Sequence, residues 1–175
     1  MSDSSNWPDQ FRTIFAEGVK QYRAGQRDVA AFFTADEQTF LAGLGANSQE
    51  IFDYVEDYSH GGDPTFETVL LVTAVRRDYF RGVQKGTPST QVRDLDSFPD
   101  KSAELDGIAW LPRIIAKARA KLQGELPPDY MYGCGGDRPF LRRHKIHLAD
   151  FLRFVWEADD DTAKIVSFLK NSGKA

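Results

Sequence analysis

Apolar positions recur at helical spacing from the first residues onward. Phe11, Ile14, Phe15, Val19 and Tyr22 fall on one stripe, which predicts an amphipathic helix with Pro8 at its start and Gly25 at its end. Thr34 and Glu37 have capping-box spacing ahead of Phe40, Leu41 and Leu44, and Gly43 or Gly45 ends that short helix. Asn47 and Glu50 repeat the spacing ahead of Ile51, Phe52, Val55 and Tyr58, with Gly61-Gly62 as the stop. Asp63-Pro64 then reads as N-cap and first helical residue of a segment carrying Phe66, Val69, Leu70 and Ala74, with Thr73 the one polar residue on that face.

The rhythm breaks over 84–107. Gly86, Pro88, Ser89, Pro99 and scattered Asp residues predict a surface connection, with at most an extended piece at Gln91-Val92. Periodicity resumes at Ile108, with Pro112 near the helix start and Leu111, Ile114, Ile115, Ala118 and Leu122 on one face, and stops at Gly124 and Pro127-Pro128. Asp137 is the expected N-cap of a short helix holding Phe140 and Leu141, followed by Leu148–Val155 and Ile165–Leu169. The expected fold is all-α: a compact bundle of about seven or eight short helices. The expected organisation is an N-terminal helical half over 1–83, a connecting loop over 84–107 and a C-terminal helical half over 108–175, together one compact domain. An offset of 100 aligns Phe40-Leu41 with Phe140-Leu141 and Val55 with Val155. Two related halves, or two independent helix pairs, both fit that echo.

Composition narrows the function classes. At 41% hydrophobic and 27% charged, the 175 residues can bury a core, and 13 Phe, 6 Tyr and 3 Trp supply large rings for it. No run of about 18 apolar residues is present to span a membrane. The segment Met1–Trp7 lacks the basic and apolar regions of a secretory signal, so a cytoplasmic protein is expected. Residues 1–105 hold 10 basic and 17 acidic side chains, net −7, whereas 106–175 hold 12 and 9, net +3. That balance points away from nucleic acid but leaves room for a local anion site. With a single cysteine, an internal disulfide, a dithiol cycle and a four-cysteine zinc site are all excluded.

The stretch Leu105-Asp106-Gly107-Ile108-Ala109-Trp110-Leu111-Pro112-Arg113, continued through Leu122, resembles a family of small bacterial proteins. So does Tyr132-Gly133-Cys134-Gly135-Gly136-Asp137 followed by Phe140-Leu141. The family is the domain of unknown function numbered 5069, and the likeness runs over roughly 104–172. The resemblance implies a family and no reaction. Its members more often carry Cys-Pro-Leu-Asp where this chain has Cys134-Gly135-Gly136-Asp137, so a different loop backbone is expected here.

The residues richest in chemistry surround that loop. Gly133, Gly135 and Gly136 flank Cys134 just before a helix start, where successive N–H groups form an anion-binding nest. The helix N-terminus and Arg138 would favour a thiolate there, and a thiolate beside backbone donors suits nucleophilic catalysis. Arg138 and Arg142 share a helix face, as do Arg113 and Lys117, so two basic pairs have the spacing to clamp a carboxylate or phosphate. Tyr132 is the expected loop wall of a pocket, with Tyr130 and Trp110 as further rings and Trp156 assigned to the core. The bland alternatives are a buried structural Cys134, a capping Asp137 and solvated arginines. His144, His147, Asp150 and Cys134 are permissible zinc ligands, but their cationic neighbours oppose a dication, and no metal is assigned. His60 reads as an exposed turn residue. No Walker loop, dinucleotide fingerprint, EF-hand loop or nucleophile elbow occurs, so no cofactor is expected.

Three functional readings follow. The first is non-enzymatic binding of an anionic small molecule or an acidic partner segment at Tyr132, Cys134, Gly135, Gly136, Asp137 and Arg138, with Arg113, Lys117 and Arg142 around them. The second is a small cofactorless enzyme using Cys134 or Asp137 with Arg138. The third is a structural interaction protein with no small-molecule site.

Overall fold

The structure, a computed structural model, describes residues 6–172; most of the N-terminal stretch read above for a secretory signal lies outside the described residues. Among the described residues there are eight α-helices: α1 (Trp7–Arg23), α2 (Ala35–Gly43), α3 (Ser48–Gly61), α4 (Phe66–Gly82), α5 (Leu111–Gln123), α6 (Asp137–Arg143), α7 (Leu148–Ala158) and α8 (Thr162–Ser172). One two-residue hairpin, β1 (Glu104–Leu105) with β2 (Ile108–Ala109), precedes α5. Among the described residues no helix is long and apolar enough to cross a membrane. The chain divides into two compact units, Met1–Asp78 and Tyr79–Ala175, so the division falls inside α4 and the 84–107 connection belongs to the second unit.

Local sequence sets most element ends. Thr34 Oγ1 accepts from the Glu37 amide at 3.3 Å while the Glu37 carboxylate accepts from the Thr34 amide at 2.8 Å. Asn47 and Glu50 close the same reciprocal box ahead of α3. One start in the first unit differs from expectation. α4 begins at Phe66 because the Thr65 hydroxyl, rather than Asp63, accepts from the Thr68 amide at 3.2 Å. α5 begins at Leu111 with Pro112 in its first turn, as expected, after Ile108-Ala109 turns back to pair with Glu104-Leu105. Asp106 and Gly107 make that turn, with φ of 53° and 74°, which is the backbone an Asp-Gly hairpin needs.

In the first unit α1 packs on α3, and rings fill the space between them. Phe32 meets Phe52 edge-on at 4.8 Å, and Phe15 lies 5.3 Å from Phe66. Gly18 explains how closely the helices approach: a Cβ there would stand 3.2 Å from Val55 and 3.3 Å from Phe32. In the second unit α5 packs on α7 and α7 on α8. Leu111, Ile114, Ala118, Phe151, Leu152 and Ile165 are all fully buried there.

The offset of 100 reappears in the hydrogen bonding inside the two units. The amides of Leu44, Gly45 and Ala46 bond the carbonyls of Leu41, Ala42 and Leu41; those of His144, Lys145 and Ile146 bond Leu141, Arg142 and Leu141. Gly45 and Lys145 both take positive φ, 73° and 56°. Phe11, Ile14, Phe15 and Gly18 are buried on α1 as Leu111, Ile114, Ile115 and Ala118 are on α5. Each unit therefore uses the same helix, tight corner and helix in the same register.

The α3 surface carries a titratable strain. Burial raises the Asp53 carboxyl to about 6, with further upward pressure from Glu56, Glu50 and Asp57, opposed by the Gln49 amide that donates to it at 2.7 Å. The folded-state value lies above the unfolded one, so stability is greatest with Asp53 protonated and falls as pH rises through the interval from 3.8 to about 6. A shift of this size corresponds to about 3 kcal/mol, reduced by solvent screening at this half-buried site to about 1–2 kcal/mol. Asp53→Asn is expected to be more stable than the parent by that amount at about pH 8 and equal to it below about pH 4. Urea titrations at the two pH values check this; an equal gain at both would remove Asp53 as the cause.

Candidate functional site

The amphipathic pattern of α5 buries one residue that composition would place outside. Lys117 is 2% exposed, and its ammonium meets the carboxylate of Asp137, itself fully buried at the start of α6. Lys117 Nζ donates to Asp137 Oδ2 at 2.5 Å. The amides of Gly133 and Cys134 donate to the same oxygen at 2.9 and 3.3 Å, and Trp110 Nε1 donates to Oδ1 at 2.9 Å. Four donors thus surround a carboxylate in the interior, which is the condition for keeping such a charge there.

This reverses the expected role of Asp137. It makes no N-cap bond; α6 opens from Gly136 without a side-chain cap. The two loop amides expected to receive an external anion bond the chain's own carboxylate instead. Asp137 reaches back because Gly133, at φ 83°, turns the loop so that consecutive N–H groups point inward. Gly136 is needed for a different reason: a Cβ at that position would lie 2.4 Å from the Trp110 ring, which its bond to Asp137 holds in place. Trp110 itself has φ 73°, a left-handed conformation that costs a bulky side chain about 1–3 kcal/mol.

The same ammonium touches the thiol. Lys117 Nζ lies 3.2 Å from Cys134 Sγ, and Cys134 is half-buried. Tyr130 covers the cluster, with Lys117 Nζ 5.1 Å and the Arg113 guanidinium 4.9 Å from its ring centre. The Tyr130 hydroxyl is buried without a hydrogen-bond partner. Burial is also the first cause of the upward shift of its phenol, with Asp137 and Cys134 adding to it and Arg113 opposing, so the group stays a neutral donor.

The remaining expected site residues are distributed more loosely. Arg113 donates to the Pro99 carbonyl at 2.7 Å, and Arg138 donates to the Gly133 carbonyl at 2.7 Å, so each guanidinium braces a loop. Tyr132 is 1% exposed and its hydroxyl donates to the Leu148 carbonyl at 2.7 Å, which makes it core rather than a loop wall. Gly135 and Arg142 are exposed and Gly136 is half-buried. His147 caps α7, its Nδ1 accepting from the Ala149 amide at 3.1 Å. Sequence reasoning placed Trp110 and Tyr130 only as rings of a pocket and missed their contacts with Asp137 and Lys117. The signal was present in the spacing, since Trp110, Arg113 and Lys117 lie three and four residues apart on one face of the chain entering α5.

The first unit keeps the frame of this site without its charges. Gln38 donates to the Phe33 carbonyl at 2.8 Å where Arg138 donates to Gly133. At the positions of Cys134, Asp137 and Lys117, however, stand Thr34, Glu37 and Glu17; the first two form the α2 capping box and Glu17 pairs with Lys20 on the surface. The buried cluster therefore belongs to the second unit alone among the described residues.

Residues 99–175 match the family model described as Domain of unknown function (DUF5069). Every side chain of the Lys117–Asp137–Cys134 cluster lies inside that segment. No curated protein and no solved structure matches the chain.

Removing one member of the ion pair leaves the other buried and uncompensated, so Lys117→Met is expected to cost about 3–5 kcal/mol. The double variant Lys117→Met/Asp137→Asn should recover much of that loss, because a neutral amide still accepts from Trp110. Gly136→Ala should destabilise by about 1–3 kcal/mol through overpacking against Trp110. Denaturant midpoints of the four proteins check these values, and a double variant no better than Lys117→Met would show that the pair is not energetically coupled.

Proposed function

We propose that the Cys134 loop is a reactive-thiol site, in which the sulfur acts as a nucleophile toward a small molecule carrying an electrophilic carbon. The single observation that carries this reading is the buried Lys117 ammonium 3.2 Å from Sγ, fixed there by Asp137. The ammonium donates to the sulfur, and a cysteine attacks through its thiolate. Asp137 holds Lys117 and the loop amides and has no role as an acid or base, since its oxygens are engaged by four donors. In the bond-forming step the thiol proton passes to water, the sulfur electron pair forms the bond to the electrophilic carbon, and the bond from that carbon to its leaving group breaks, its electron pair departing with the leaving group as it does with iodide from iodoacetamide.

Two features favour a polar or anionic substrate. The Tyr130 hydroxyl is a buried donor without a partner, and Arg113 stacks beside it. Non-covalent anion binding by the same surroundings is the second reading, and it rests on that hydroxyl and the Arg113 guanidinium rather than on the loop amides.

Alkylation by iodoacetamide at neutral pH tests the thiol reading. Cys134 is expected to react at least about fivefold faster than a free cysteine derivative, and the folded Lys117→Met/Asp137→Asn variant should fall back to the free rate. A parent rate at or below that of the free thiol, or a rate unchanged in the double variant, would overturn it. Slowing of the reaction by citrate, lost in Tyr130→Phe, would instead mark the anion-binding reading.

A further inference from the structure

The first unit carries a hollow of its own. It is a groove of about 290 Å³ along α1, with one wall of aromatic and aliphatic side chains and a rim of cations. Phe15, Val19 and Phe66 form its floor and are each less than a tenth exposed. Tyr58 stands edge-on to Phe15 at 5.6 Å, and its hydroxyl makes no hydrogen bond among the described residues. Arg12, Lys20 and Arg23 edge the opening along α1.

The charge at this rim runs against its surroundings. Residues 1–78 carry 6 basic and 13 acidic side chains, yet three of the six basic ones border this groove. Arg12 is only loosely paired, 3.8 Å from Glu67, and lies over the Phe66 ring at 4.3 Å. Lys20 pairs with Glu17 at 3.1 Å on the exposed face of α1, an ion pair a bound acid group would have to share, and Arg23 has no ion pair among the described residues. The matching positions of the second unit lack this chemistry: Ala120 and Gln123 stand where Lys20 and Arg23 do, and Ala158 where Tyr58 does. An apolar floor with a cationic edge and an unengaged hydroxyl is complementary to one kind of small molecule: an apolar body ending in an acid group.

We infer that this groove binds an amphiphilic carboxylate, its chain or ring lying on Phe15, Val19 and Phe66 and its acid group held by Lys20, Arg23 and the Tyr58 hydroxyl. The apolar floor supplies affinity and the rim supplies sign selectivity.

Decanoate, titrated by calorimetry against the full-length protein, is the probe, with decanol as its neutral counterpart. One saturable site is expected, with decanoate bound at least about fivefold more tightly than decanol, and Lys20→Ala/Arg23→Ala should remove that preference. Both rim residues are exposed, so the variant tests binding without disturbing the core. Ala16→Trp, which fills the groove from an exposed position, should abolish binding of both probes. The inference is overturned if decanoate shows no saturable binding, if decanol binds as tightly, if the double variant keeps the preference, or if Ala16→Trp leaves binding intact. It is also overturned if an acidic peptide rich in Phe binds this face while decanoate does not.

Discussion

A carboxylate with no access to water has to be surrounded by donors, and Asp137 dictates the second unit's arrangement on that account. Its oxygens draw Lys117 into the interior of α5, turn the Gly133 and Cys134 amides inward and fix the ring of Trp110. The desolvation cost of two buried charges is several kcal/mol each, so every one of these contacts is needed to keep the pair folded in. Trp110 remains in a left-handed backbone conformation because its indole nitrogen is one of those donors. The posture of Cys134 follows directly: its amide serves Asp137 and its sulfur meets the ammonium that Asp137 holds.

The two units show the same frame filled in two ways. Both use a long helix, a tight corner and a second helix in matching register, down to the side-chain bond from Gln38 to Phe33 and from Arg138 to Gly133. The first unit fills its interior with Phe32, Phe33 and Phe52 and leaves Glu37 at the surface as a cap. The second spends part of its interior on an ion pair, which contributes little to stability compared with packed rings. The first unit's distinctive surface lies instead along α1, where cations gather at an apolar groove.

Much of the chain's local structure was legible. Thr34-x-x-Glu37 and Asn47-x-x-Glu50 name their own helix starts because each box satisfies neighbouring amides and needs nothing distant. The α1 and α5 stripes predict their buried faces because one period governs the whole helix. The Asp106-Gly107 hairpin falls at the end of the stretch expected to be a surface connection, and its dipeptide is the local signal for that turn. Asp137 departs from the capping role its position predicts for a deeper reason. At the first position of a short helix, an Asp that caps its own amides and an Asp that turns inward have the same local sequence, and the choice depends on a lysine 20 residues away. Tyr132 was misplaced similarly: its loop position suggested exposure, while the Leu148 carbonyl offered its hydroxyl a buried partner.

The sequence by itself determined the helical character, most element boundaries, the single thiol and its glycine setting, since these depend on period, caps and composition, all of which act over a few residues. Only the tertiary structure decided that the loop's amides serve an internal carboxylate, that Lys117 bridges it to sulfur, and that three scattered cations border one groove. Those outcomes depend on which charges are desolvated together. That is fixed by packing between elements far apart in the chain, where no local pattern carries the information.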